Sequence, residues 1–96
     1  MSPLKKKKLS KIRLQLDKLD NSLIKIIQKR TMLVKKVLAL KDKKNQIVDK
    51  KRIKTILTNI RKKSLKNNID PKITNRIRKN MIWTYIDFEK RNFKKK

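Results

Sequence analysis

Leu9, Ile12, Leu16, Leu19, Leu23, Ile26, Ile27, Leu33, Val34, Val37 and Leu38 recur at three- and four-residue intervals, the period of one apolar face on an α-helix. Neither glycine nor an internal proline interrupts them, since glycine is absent and the only prolines are Pro3 and Pro71. The pattern predicts a first helix from about Leu4 to Asp42. Such a helix is on the order of 55 to 60 Å long, more than a small domain can cover, and a helix that outruns its own domain usually packs against another chain. KDKKNQIVD reads as the following loop, and Asp49 is placed to cap a second helix over 49–66 that buries Ile53, Ile56, Leu57 and Ile60 and fades between Leu65 and Asn68. Asp70 then Pro71 is a capping side chain followed by a residue whose φ is preset for a first helical turn. The third helix, over 70–92, is expected to bury Ile73, Ile77, Met81, Ile82, Tyr85 and Phe88 before the frayed tail NFKKK. The reading is an all-α protein, a single domain over 1–96 with basic tails at both ends and no internal repeat.

Composition narrows the chemistry. The 96 residues include 32 Lys or Arg against 7 Asp or Glu, a formal net charge of +25. An excess of this size points first to a polyanionic partner such as nucleic acid or an acidic membrane surface. Most of it is lysine, however, and Ile and Asn are abundant too, which is the bias of a chain encoded by A- and T-rich codons; scattered lysines then carry little functional meaning. Cysteine and histidine are both absent, which removes disulfides, thiolate metal sites, nucleophilic triads and the commonest metal ligand and general base. No apolar run approaches the ~20 residues of a membrane span. The basic start SPLKKKKLSK leads into no uninterrupted apolar stretch of the secretory kind, so a cytoplasmic protein is expected.

A few polar residues stand where the pattern calls for apolar ones. Arg13 lies between Leu9 and Leu16, on or beside the seam of helix one, while Arg30 and Lys41 fall on the stripe itself. Glu89 follows Ile82, Tyr85 and Ile86 at spacings of seven, four and three, so an acid faces the apolar side of helix three. Arg52 immediately precedes Ile53 at the start of helix two. Taken singly, each can be a residue at the edge of the stripe with a packed stem and a wet head. Taken together, several cations and one acid converge on a helical core, and a buried charge needs a partner. That arrangement describes an anion pocket, and two or more arginines suit a compound with more than one carboxylate.

These residues resemble the all-helical chorismate mutases, three-helix proteins that form an intertwined dimer with a very long first helix. IRLQLDKLD resembles the family's arginine seven residues before the aspartate of an LD pair, and supplies Arg13. SLIKIIQKRTMLVKKVLALK resembles its leucine-rich run ending in an arginine, with a lysine eleven residues on, and supplies Arg30 and Lys41. VDKKR resembles its D-x-x-R turn into helix two, with Asp49 and Arg52, and IDPKITNRI resembles its Leu-Asp-Pro turn into helix three. The likeness runs from about Ile12 to Glu89.

The resemblance implies an isomerase of the shikimate pathway, converting chorismate to prephenate for phenylalanine and tyrosine synthesis in a homodimer, without cofactor or metal. By the same analogy Arg13 reaches in from the partner subunit, and Arg13, Arg30 and Arg52 hold the two carboxylates, with Asp49 beside them in the turn. Lys41 donates to the ether oxygen of the breaking C–O bond, Glu89 is the second donor there, and Tyr85 stands where the family often has a small polar residue near a substrate carboxylate. The chemistry suits a chain without Cys or His, because a Claisen-type rearrangement is unimolecular and needs only a substrate held folded.

Two positions depart from the family's commonest pattern. Glutamine is usual where this chain has Glu89, and a carboxyl group donates a hydrogen bond only when protonated, so activity is expected to rise as the pH falls below neutral. Many members carry a glutamate where this chain has Ile53, to hold the ring hydroxyl of the substrate. An apolar residue there also occurs in isochorismate pyruvate lyases, which MIWTYI resembles as well. The alternatives to a chorismate mutase are therefore such a lyase, a mutase of a related chorismate derivative, or a basic helical nucleic-acid binder. The shortage of aromatic residues for stacking on bases argues against the last.

Overall fold

The computed structural model describes residues 1–94; the final two residues of the tail NFKKK lie outside the described residues. Three α-helices follow one another, α1 (Pro3–Ala39), α2 (Lys50–Lys66) and α3 (Pro71–Asn92), with a 3-10 turn at Lys44–Gln46 between the first two. Among the described residues there is no strand, and no helix is long and apolar enough to cross a membrane. The chain divides into two compact units, Met1–Leu33 and Val34–Lys96.

The first unit is helical from Pro3 onward. Ser2 caps it, its Oγ accepting the N–H of Lys5 at 3.2 Å, and Pro3 takes the first helical position, where a missing N–H costs nothing. Within this unit only Leu9, Arg30 and Thr31 are even partly buried. The apolar stripe is open: Leu16, Leu19 and Leu23 are 53%, 64% and 51% exposed.

The second unit holds the core. Leu38, at the end of α1, packs with Ile47, Ile82 and Ile86, and Val48, Ile53, Ile56, Leu57 and Phe93 pack around them half-buried. Phe93 therefore belongs to the core's edge and not to a frayed tail. The first helix ends at Ala39, short of the Asp42 that periodicity predicts. Leu40 and Lys41 donate their N–H groups to Val37 and Leu38, both at 3.1 Å, which tightens the last turn to i−3 bonding. The side chain of Gln46 then takes the next two N–H groups, its Oε1 accepting from Asp42 at 2.8 Å and from Lys43 at 2.9 Å. With those donors satisfied by a side chain, the helix has nothing to gain by continuing. The same turn seats Ile47, only 4% exposed, in the core.

Both aspartate caps form. Asp49 Oδ1 accepts the N–H of Arg52 at 3.0 Å, and Asp70 Oδ1 accepts the N–H of Lys72 at 2.9 Å ahead of Pro71. At the end of α2, Asn68 adopts φ 56°, and the N–H groups of Asn68 and Ile69 return to Leu65 and Ser64 at 3.3 and 2.9 Å. This is a Schellman closure with asparagine in the left-handed position that glycine usually takes.

The inner face of α3 differs from the expected one. Ile73 and Ile77 are 55% and 56% exposed, while Ile86 is buried. The cause lies at the first turn, where Thr74 Oγ1 and the buried Ser64 Oγ meet at 2.6 Å. That bond turns Thr74 toward α2, and one helical period carries the inner face through Arg78, Ile82, Ile86 and Glu89. Ile73 and Ile77, one position earlier, are rotated away.

Candidate active site

The residues that place the site are the last buried apolar ones of α1 and α3. Lys41 follows Leu38 by three positions and Glu89 follows Ile86 by three, so each charged side chain extends one turn beyond an apolar core residue. There the Lys41 ammonium donates to Glu89 Oε2 at 3.0 Å. The two side chains are 19% and 9% exposed, so the pair is largely withdrawn from water. A pair so placed is held by its charge-assisted hydrogen bond; removing either member would strand the other. Lys41 is not on the helical stripe, as its spacing suggests, but in the i−3 turn beyond Ala39. It is the turn that aims it at α3.

Two further candidate residues are half-buried. Ile53, in the first turn of α2, is half-buried against the core cluster. Tyr85 is half-buried one turn before Glu89 and meets Phe88 edge to face, with centroids 6.5 Å apart and planes at 86°. Asp49 and Arg52 meet through the helix cap, the backbone of Arg52 donating to the carboxylate of Asp49, and both side chains are exposed.

The other two arginines belong to the first unit. Arg13 is exposed. Arg30 is half-buried, and its Nε is shielded from solvent without a hydrogen-bond partner among the described residues. A buried guanidinium N–H left unpaired costs on the order of 1 to 3 kcal/mol, so Arg30 is a donor for which an acceptor is favourable. The structure thus brings Lys41 together with Glu89, and Asp49 with Arg52, while Arg13 and Arg30 are each found in the first unit. Among the described residues no group of three His, Cys, Asp or Glu side chains is placed to hold a metal. Sequence reasoning passed over Ile47 and Gln46, whose turn positions Lys41; a side chain reaching back across four residues leaves no periodic trace.

The chain matches the family model described as chorismate mutase type II over residues 12–90. That span begins just before Arg13 and ends just after Glu89. No curated protein and no solved structure was found to match. With all three helices contributing to the matched span and an all-helical architecture to accompany it, the chain belongs to the chorismate mutase type II family.

Proposed function

We propose that this protein is a chorismate mutase, catalysing the rearrangement of chorismate to prephenate as a homodimer, with the whole chain acting as one domain. The observation that carries the reading is the largely buried Lys41–Glu89 pair at 3.0 Å, one turn beyond the core residues Leu38 and Ile86 and within the matched span. In the reaction the ether C–O bond breaks as a C–C bond forms between the enolpyruvyl methylene and the ring. No proton, electron or co-reactant is exchanged. Negative charge grows on the ether oxygen, and a fixed ammonium there stabilises the transition state more than the ground state. Lys41 supplies that ammonium, withdrawn from water where its field is least screened.

The remaining roles follow the family resemblance. Arg30 and Arg52, with Arg13 from the partner subunit, hold the two carboxylates, which is chemistry suited to forked guanidinium donors. Glu89 serves as second donor to the ether oxygen when protonated, and otherwise fixes the position of the Lys41 ammonium. Asp49 sets the turn that carries Arg52, and Tyr85 walls the site. The dimer is supported by the open stripe of α1: a helix with Leu16, Leu19 and Leu23 more than half exposed and many like charges needs another surface to cover it. Each leucine, being already about half covered, contributes on the order of 1 to 2 kcal/mol when so buried.

Ile53 favours a second reading. Packed against the core, it offers no carboxylate to a ring hydroxyl, a feature shared with isochorismate pyruvate lyases. Separate incubation with purified chorismate and isochorismate distinguishes the two. Prephenate from chorismate supports the mutase; pyruvate plus salicylate from isochorismate alone replaces it with the lyase.

A further inference from the structure

Apart from the Lys41–Glu89 pair, α2 and α3 frame an open cleft of about 360 Å³. Lys54 and Arg61 of α2 and Lys72 of α3 bring three cations to it, Thr58 and Asn75 add neutral polar groups, and Leu57 and Pro71 form its apolar part. It contains no acid. Asp70, next to Pro71, is engaged as the cap of α3.

In so basic a chain three neighbouring cations mean little by themselves. Two further features set this group apart. The cations surround a concavity, where low-dielectric walls focus their field. Lys54, Thr58, Arg61 and Lys72 are exposed, so their polar groups are as open to a ligand as to water. Thr58 in particular does not bond back to its own helix, as Thr31 and Thr55 do through Ile27 and Lys51 at 2.8 and 3.1 Å. Finally, the cleft pairs its charge with an apolar surface, Leu57 being half-buried at the core's edge. Its volume is in the range of small-molecule sites.

We propose that this cleft binds a small dianion, phosphate- or carboxylate-bearing, on a compact aromatic or aliphatic body. The charged groups meet Lys54, Arg61 and Lys72, with Thr58 and Asn75 donating alongside, and the body lies on Leu57 and Pro71. The site shares no residue with the proposed substrate site, so it is a second ligand site and not an extension of the first.

The test is calorimetric titration of the full chain with phenyl phosphate, phthalate and inorganic phosphate at near-physiological salt. Saturable binding of phenyl phosphate or phthalate, tighter than inorganic phosphate and with one site per chain surviving in Arg30→Ala, is the expected result. Replacing Lys54, Arg61 and Lys72 together by serine weakens it about tenfold or more. Replacing Lys5, Lys6 and Lys7 together by serine leaves it unchanged, as does Arg30→Ala. Equal weakening in both triple variants reduces the effect to diffuse charge and overturns the proposal. Loss of binding in Arg30→Ala overturns it too, by moving the ligand to the proposed substrate site, while leaving the mutase reading intact. Circular dichroism of each variant confirms that the helices persist.

Discussion

Lys41→Ala tests structure and chemistry at once, because the Lys41–Glu89 pair joins the two. Glu89 is 7% exposed, and its Oε2 lies 3.0 Å from the ammonium. Removing the lysine leaves a carboxylate with little water around it. Breaking a buried pair in this way costs about 3 to 5 kcal/mol; the 19% exposure of the Lys41 side chain puts this pair at the lower end, about 3 kcal/mol. Loss of the ammonium proposed to meet the ether oxygen removes a further ~3 to 4 kcal/mol from the transition state alone, a fall of about a hundred- to a thousandfold in kcat. The second substitution separates the terms. Adding Glu89→Gln to Lys41→Ala replaces the stranded carboxylate by a neutral amide, so about 2 kcal/mol of stability returns, whereas the activity does not. Stability is read by urea unfolding at one fixed protein concentration, since a dimer's midpoint depends on concentration. Activity is read as the initial rate of chorismate loss. If the double variant regained activity along with stability, Lys41 would be a structural residue and the proposed electrostatic role would be wrong.

Other expectations follow from the same geometry. Glu89→Gln puts an amide N–H where a second donor to the ether oxygen is proposed and keeps activity, read as the initial rate of chorismate loss; a folded but inactive Glu89→Gln removes that role. Arg13→Ala and Arg30→Ala, each nearly inactive, regain about a quarter of the wild-type rate when unfolded and refolded together, because half of the dimers are mixed and each mixed dimer has one intact site. No recovery means that Arg13 serves its own chain. Ile47→Ala lowers unfolding free energy by about 2 to 4 kcal/mol, measured by urea titration, since the side chain is 4% exposed in the core; a loss under ~1 kcal/mol would show that the turn is not anchored there.

The parts of the fold readable in the sequence were those set by local chemistry. Asp49 and Asp70 with Pro71 signal helix starts through interactions spanning two or three residues, and both form as caps. The inner face of α2, through Ile53, Ile56, Leu57 and Ile60, follows its apolar period. Where a distant side chain intervenes, the local signal misleads. Gln46 stops α1 at Ala39 by taking two N–H groups, and the Ser64–Thr74 hydrogen bond rotates α3 away from the Ile73 and Ile77 face. The site was half legible for the same reason. Polar residues on apolar stripes marked Arg30, Lys41 and Glu89 as unusual, but the meeting of Lys41 with Glu89, 48 positions apart, is tertiary. The cleft between α2 and α3 left no mark at all, because Lys54 and Lys72 look like every other lysine in the chain.

Incubating the purified protein with chorismate and following substrate loss together with prephenate formation bears most directly on the proposed activity. The expected result is stoichiometric conversion to prephenate, without added metal or cofactor, at a rate that Lys41→Ala lowers by about a hundredfold or more. Unchanged chorismate in the presence of folded, helical wild-type protein would contradict it.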